Sequence, residues 1–314
     1  MNEDIKFSIL IPTFKAKFLK ECLESILMQT YSNYEVIIVN DASPECIDDI
    51  VNQFNDPRIQ YYVNEKNIGA VDVVKNWNKC LSFATGSYCI CMGDDDKLLP
   101  CCLAEYRKLI EKYPNVELLH GWTELIDENG DFIRYQYERP EWESVYALIY
   151  NRWTHRFSQF IGDFCFKTEP LKNRSGFYYL PLAWSSDEIS ATQAAKAGGV
   201  ANTQVPCFQY RDNSLTISNS GNIEKKIEAV HLSFDWYRDF LKEIPTGQIE
   251  KKYHWLLAKI VDQIEIKLVE EYLIGFIAST GVSGIFHILK NKKTLGIPMK
   301  TVLRSIVRGM CRRG

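Results

Sequence analysis

Gly93-Asp94-Asp95-Asp96 directly follows the apolar stretch Tyr88–Met92 and precedes Lys97-Leu98-Leu99-Pro100. Three consecutive carboxylates at the point where a buried strand surfaces repel one another and resist desolvation. A divalent cation among them removes that cost, because Mg²⁺ and Mn²⁺ are hard ions that bridge one or two carboxylates to a diphosphate. A solvated acidic loop without a ligand is the alternative that the run on its own leaves open. Position favours the cation over the bare loop: open α/β sheets bind ligands at the carboxyl ends of their strands. Two other apolar runs end in small or acidic residues, Phe7–Pro12 at Thr13 and Tyr34–Asn40 at Asp41-Ala42-Ser43. In a parallel sheet Thr13, Asp41 and the triple Asp converge on one edge, and that convergence carries the argument.

The pattern around these residues supplies such a sheet. Strands are expected at 7–12, 34–40, 58–63 and 88–92, with helices at 18–28 and 45–54 and a long helix from Asn67 to Ala84 between them. Strands that are apolar on both faces and alternate with helices indicate a parallel sheet covered by helices. After a helix to Tyr113, strands at 116–126 and 132–137 flank the turn Asp127-Glu128-Asn129-Gly130, which breaks the alternation and indicates a mixed second half. A strand at 160–167, a helix at 190–197 stopped by Gly198-Gly199 and a short strand at 206–211 follow. From Ile223 onward the spacing is helical.

The 314 residues are 46% hydrophobic, enough for one large domain or two smaller ones. The net charge of −3 argues against a nucleic-acid partner. It is unevenly placed: after Glu271 there is no acidic residue but a formal +8, from Lys290, Lys292, Lys293, Lys300, Arg304, Arg308, Arg312 and Arg313, which leaves −11 for the rest. The ten cysteines follow no secretory signal and form no CxxC, so a reducing cytoplasm is expected and zinc is not. No uninterrupted apolar stretch approaches the ~20 residues of a membrane span.

In order and spacing the motifs resemble the family 2 glycosyltransferases, inverting enzymes of GT-A fold. The matching segments are Ser8–Phe14, Leu23–Tyr31, Glu35–Ser43, Asn67-Ile68-Gly69, Ala84–Tyr88 and Gly93–Asp96 with Pro100, followed by Ser186-Asp187, Ala195–Gly198, Tyr210-Arg211 and Ser218. Together they cover roughly residues 6 to 220. The resemblance implies a catalytic domain over 1–220 with a Rossmann-like, mainly parallel sheet, and a helical region over 221–314. It also implies a nucleotide diphosphate sugar donor, UDP-linked in the commonest case, Mn²⁺ or Mg²⁺ as cofactor, and a saccharide or lipid-linked saccharide acceptor.

The chain departs from that family in three places. Gly93 stands at the first acidic position, so the resemblance assigns the metal mainly to Asp95, with Asp94 and Asp96 assisting. Ser186 replaces a glutamate, leaving Asp187 as catalytic base. The absence of Gln-x-x-Arg-Trp argues against a processive synthase. The resemblance further places Pro12, Thr13, Phe14, Asp41, Asn67, Gly69, Asp94 and Arg211 at the donor.

Taken singly, most of these residues have plainer readings. Asp41 or Ser43 can cap the following helix, Thr13, Asn67 and Gly69 are ordinary turn residues, and Ser-Ser-Asp-Glu before a helix is a capping sequence. Arg211 suits either a diphosphate or a structural ion pair. Trp184 can stack on a sugar or fill the core. Trp153, His155 and Arg156 can reach an acceptor, with no motif behind them. At the chain end Met299, Val302, Leu303, Ile306, Val307 and Met310 share a helical face opposite Lys300, Arg304 and Arg308. Such a basic amphipathic helix can bind an anionic membrane surface through 285–313, at the inner face of a cytoplasmic membrane, or can pack on its own domain. Two rival functions fit the same sheet: a sugar nucleotidyltransferase, although a Gly-rich phosphate loop is missing at Thr13–Lys17, and a non-catalytic membrane-associated nucleotide-sugar-binding protein.

Overall fold

The first two strands, β1 (Phe7–Thr13) and β2 (Tyr34–Asn40), are buried along almost their whole length, which is why neither alternates polar with apolar residues. They belong to a computed structural model that describes residues 5–154, 158–213 and 222–313. β1 pairs in parallel with β2 and with β4 (Tyr88–Cys91), and β2 pairs in parallel with β3 (Ile59–Val63). α1 (Leu19–Leu27) buries Leu19, Cys22, Leu23 and Ile26, and α2 (Ile47–Val51) buries Ile47 and Val51, against the same core. α3 (Val73–Phe83) begins later than its spacing predicts. Gly69 holds a φ of +82°, which breaks the helical path, and a 3-10 turn at Ala70–Asp72 intervenes.

Beyond β4 the sheet is mixed, as expected. β5 (Lys97–Leu98) and α4 (Cys102–Lys112) lead to β6 (Leu118–Ile126), β7 (Phe132–Tyr135), β8 (Trp142–Glu143) and β9 (Phe164–Lys167). β9 runs antiparallel between β4 and β6; β10 (Val200–Arg211) pairs in parallel with β6 and antiparallel with β5 and β8. The strand order is β3-β2-β1-β4-β9-β6-β10-β5, with β7 on β6 and β8 on β10. β10 is longer than its apolar segment indicates, because register shifts around Pro206 let a strand continue through a residue that donates no hydrogen bond. α5 (Val145–Trp153), opened by the Ser144 hydroxyl accepting from Ala147 N, and α6 (Thr168–Asn173) were not legible as separate helices. α7 (Ser186–Ala195) starts four residues before the expected Ser190 and so takes Asp187 into its first turn.

The chain divides into two units: the sheet unit, which runs to Tyr179 and resumes at Ser186, and a helical unit of Leu180–Ser185 with the end of the chain. The helical unit contains α8 (Ile223–Phe240), α9 (Gln248–Thr280), α10 (Val282–Asn291) and α11 (Met299–Arg313). Its buried side chains include Phe234, Tyr237, Leu257, Val261, Leu273 and Ile277. Glu265 accepts from His231 and pairs with Arg238, joining α9 to α8, while the other His231 ring nitrogen meets the Leu295 carbonyl at 3.0 Å. No described helix is long and apolar enough to cross a membrane.

Candidate active site

The ends of β1, β2 and β4 meet through Thr13. Its carbonyl accepts from Asp41 N at 2.9 Å, and its hydroxyl donates to Asp94 Oδ2 at 2.9 Å. The same Asp94 oxygen accepts Phe14 N at 2.8 Å and Lys15 N at 2.9 Å, so Asp94 fastens the loop after β1. Pro12 lies one residue earlier in β1, opposite Val39. Asp41 does not cap α2, and neither does Ser43: α2 has no side-chain cap, and the Ser43 hydroxyl donates to Phe14 O at 2.6 Å. Instead the Asp41 carboxylate gathers the 64–69 segment, Oδ1 accepting from Asn64 Nδ2 (2.8 Å) and Ile68 N (2.9 Å), and Oδ2 from Gly69 N (3.3 Å). Asn67 Nδ2 donates to Asp41 O at 2.9 Å. The two segments expected at a nucleotide are therefore tied to each other.

Gly93 explains the first departure from the family pattern. A Cβ there would sit 2.6 Å from Asp95 Oδ1 and 3.1 Å from Asp96 Oδ2, so the missing side chain leaves a notch flanked by two carboxylate oxygens. Asp95 is partly exposed and accepts Asn213 Nδ2 on Oδ2 at 2.8 Å; Asp96 is buried and accepts Arg211 N on Oδ1 at 3.0 Å. Burial, then the Asp95 charge, push the Asp96 carboxyl well above the usual range. The same two causes, opposed by the Lys15, Phe14 and Thr13 donors, bring Asp94 to about 6. Among the described residues no group of three His, Cys, Asp or Glu side chains is gathered to hold a metal. The notch fits the other donor set such ions accept, one or two carboxylates completed by substrate phosphate. Asp95 Oδ1 and Asp96 Oδ2 are the carboxylate oxygens that flank it. Asp94, expected beside the metal, ties down the loop after β1 through Oδ2, which takes three donors.

Arg211, expected at the donor, is engaged within the protein. Its side chain has no exposure, and the guanidinium is spent on Asp95 O (2.9 Å), Glu128 O (3.0 Å) and Glu21 Oε2 (2.8 Å) while lying 4.4 Å over the Phe18 ring. It pins the acidic turn to the 127–128 turn rather than offering a fork to phosphate. Glu21 and Asn213, which complete this arrangement, gave no signal in the sequence.

Asp187 sits half-buried at the start of α7. Burial first, then neighbouring Glu188, raise its carboxyl to about 7, against the pull of Arg152. Arg152 itself pairs with Glu188 at 2.6 Å. The approach to Asp187 is unusual: Leu182, Ala183 and Ser185 all hold positive φ, of 60°, 55° and 64°. Such left-handed non-glycine residues cost about 1–3 kcal/mol each and cluster at functional sites. A methyl group on Gly162 would lie 3.1 Å from Met92 Cβ, just before Gly93, and the charge of the next residue, Asp163, contributes to the Asp187 shift. Asp163 is fully buried, its Oδ2 accepting Gln136 Nε2 at 3.0 Å, and sequence reading missed it.

Trp184 is engaged within the helical unit, donating to Tyr272 Oη at 2.8 Å under the Lys226 ammonium, 4.7 Å from its ring. Trp153 is buried on α5. His155, Arg156 and Ser218 lie outside the described residues.

The model of glycosyl transferase family 2 matches residues 8–170, just over half of the chain. An uncharacterised glycosyltransferase of Methanocaldococcus jannaschii is 33% identical over 132 residues, 40% of this chain and 44% of that protein. WcaA of Escherichia coli, named for colanic acid biosynthesis, is 38% identical over 103 residues, 32% of this chain and 36% of WcaA. The chain thus matches less than half the length of these relatives. Among solved structures, Staphylococcus aureus TarS 1–349 in complex with UDP-GlcNAc aligns with a TM-score of 0.64 at 17% identity, over 98% of this chain and 89% of that one. The mannosyltransferase PcManGT of Pyrobaculum calidifontis, in complex with GDP-Man and Mn²⁺, aligns with a TM-score of 0.57 at 15% identity, over 99% and 88%. At these identities the likeness is one of fold, the GT-A type. With the family model spanning the strand ends and the acidic turn, the chain belongs to glycosyl transferase family 2.

Proposed function

We propose that the protein transfers a sugar, with inversion, from a nucleotide diphosphate sugar, UDP-linked by preference, to a hydroxyl of a saccharide or lipid-linked saccharide. The single observation that carries this is the joining of three strand ends by Thr13 beside a notch left open at Gly93. Thr13, Phe14, Asp41 and the Asn67–Gly69 segment would receive the nucleoside. Asp95 and Asp96 would hold Mn²⁺ or Mg²⁺, which when bound neutralises charge on the diphosphate leaving group. Asp187 would accept the acceptor proton while the acceptor oxygen attacks from the face opposite the departing nucleotide. A carboxylate is a far weaker base than an alkoxide, so that proton moves late, after the new carbon–oxygen bond is well advanced. Fixed backbone ties at the strand ends supply orientation without reorganisation during the reaction.

The name of the relative WcaA supports a role in surface polysaccharide assembly, and a lipid-linked acceptor would place the reaction at the cytoplasmic face of a membrane. The test is a panel of UDP- and GDP-sugars with Mn²⁺ or Mg²⁺, scored for nucleotide diphosphate release and for protection from thermal unfolding. One UDP-sugar should both protect and turn over. Protection without release under any acceptor would favour a non-catalytic binding protein.

A further inference from the structure

α11 turns its small residues inward and its large apolar ones outward. Thr301, Ser305 and Gly309, spaced one turn apart, are buried together with Val302. Gly309 lies against α9 so closely that a methyl group there would come within 2.8 Å of Ile277 Cβ and 3.2 Å of the Ile274 carbonyl. Met299, Leu303, Val307 and Met310 are left in solvent, 43%, 56%, 65% and 41% exposed. They follow one another at four, four and three residues, forming a stripe about 17 Å long at 1.5 Å per residue. A helix packed only against its own unit would bury those four and expose the threonine and serine. Val302, which the sequence pattern grouped with the stripe, instead points to the core.

Lys300, Arg304 and Arg308 each follow a stripe residue by one position, so they line one edge of it. Arg304 and Arg308 also reach buried Glu270 on α9, at 3.7 and 3.0 Å, and no acidic residue follows Glu271. We propose that this face of α11 is a docking surface for an anionic lipid bilayer. The four apolar side chains enter the boundary between headgroups and acyl chains, and the basic edge meets lipid phosphates. Charge complementarity selects this occupant, since the same face of a second copy carries no acidic residue to meet the basic edge.

The full chain is floated with vesicles of phosphatidylcholine alone and of phosphatidylcholine with phosphatidylglycerol, without donor, so that the outcome is independent of the transfer reaction. Binding should appear on the anionic vesicles, weaken at least ~10-fold on neutral ones, and weaken again in high salt. The pair Leu303→Glu and Val307→Glu should abolish binding with unchanged melting temperature and unchanged donor turnover. Val307→Trp, a gentler change, should show a blue-shifted emission on anionic vesicles alone. Wild-type protein left unbound by anionic vesicles, or a glutamate pair that binds as wild type does, overturns the proposal. A glutamate pair that converts a dimer to a monomer with no vesicle binding in wild type assigns the face to a second copy and overturns it too.

Discussion

The two ends of the same parallel strands treat carboxylates in opposite ways. At the amino-terminal end Glu35 accepts from the Lys6 ammonium (2.7 Å), the Ser8 hydroxyl (2.6 Å), and the Thr85 amide (2.7 Å) and hydroxyl, stitching β2 to β1 and to the turn before β4. Burial pushes the Glu35 carboxyl up, but those donors outweigh it and hold the group at about 2. At the carboxyl end Asp94, Asp95 and Asp96 crowd together, answered mainly by neutral N–H and O–H donors, and Asp94 rises to about 6. The buried guanidinium beside them contacts the Asp95 carbonyl, not its carboxylate. One end is saturated and structural. The other is short of positive charge, with two carboxylate oxygens flanking the side-chain position that Gly93 leaves empty.

Substitutions at each end should therefore separate function from stability. The largest effect is expected at Asp187, beyond the strand ends. Asp187→Asn should lower the transfer rate about 10³-fold, the range for a lost general base, with donor affinity unchanged. With the carboxyl at about 7 in the fold against an ordinary 3.8, wild-type kcat/KM should climb as pH rises through about 7. The folded state retains that proton where the unfolded chain releases it, so the same group makes the fold less stable as pH rises from about 4 to 7. A pH–rate profile and urea midpoints measured across that window check both signs.

Glu35→Gln should behave in the reverse manner. A carboxyl at about 2 instead of 4.5 corresponds to at most about 3 kcal/mol, reduced to about 2 by solvent screening of part-exposed Lys6. That contribution is complete above pH 4.5 and is lost as pH falls through about 2. Denaturant titrations at pH 7 should show the drop, with kcat close to wild type. Gly93→Ala presses on Asp95 Oδ1 and Asp96 Oδ2, and should raise the Mn²⁺ concentration for half-maximal rate about 10-fold at an unchanged melting temperature. The smallest effect is at Ala42, which holds a φ of 49°. Ala42→Gly should add about 1 kcal/mol of stability by relieving the left-handed conformation, with donor affinity unaltered.

The parallel half of the sheet was legible because a buried parallel strand leaves a distinctive trace, a continuous apolar run closed by Thr13, Asp41 or Gly93. Packing on both faces forces that composition. The partners that Asp41 and Arg211 take within the fold were not legible. Asp41 holds the 64–69 segment instead of capping α2, and Arg211 ties down the acidic turn from beneath, both through partners more than twenty residues away. The late start expected for α7 has the same origin, because the left-handed residues before Ser186 carry no glycine to announce them. In α11 periodicity found an amphipathic helix but not which apolar residues face inward, since close approach to α9 at Gly309 decides that.

Equilibrium binding of UDP in the presence of Mn²⁺, measured for wild type, Asp95→Asn and Asp187→Asn alongside turnover, tests the central claim most directly. The account predicts that Asp95→Asn weakens UDP binding at least ~10-fold, while Asp187→Asn binds as wild type does and fails to turn over. Wild-type affinity in Asp95→Asn, or wild-type turnover in Asp187→Asn, would contradict it.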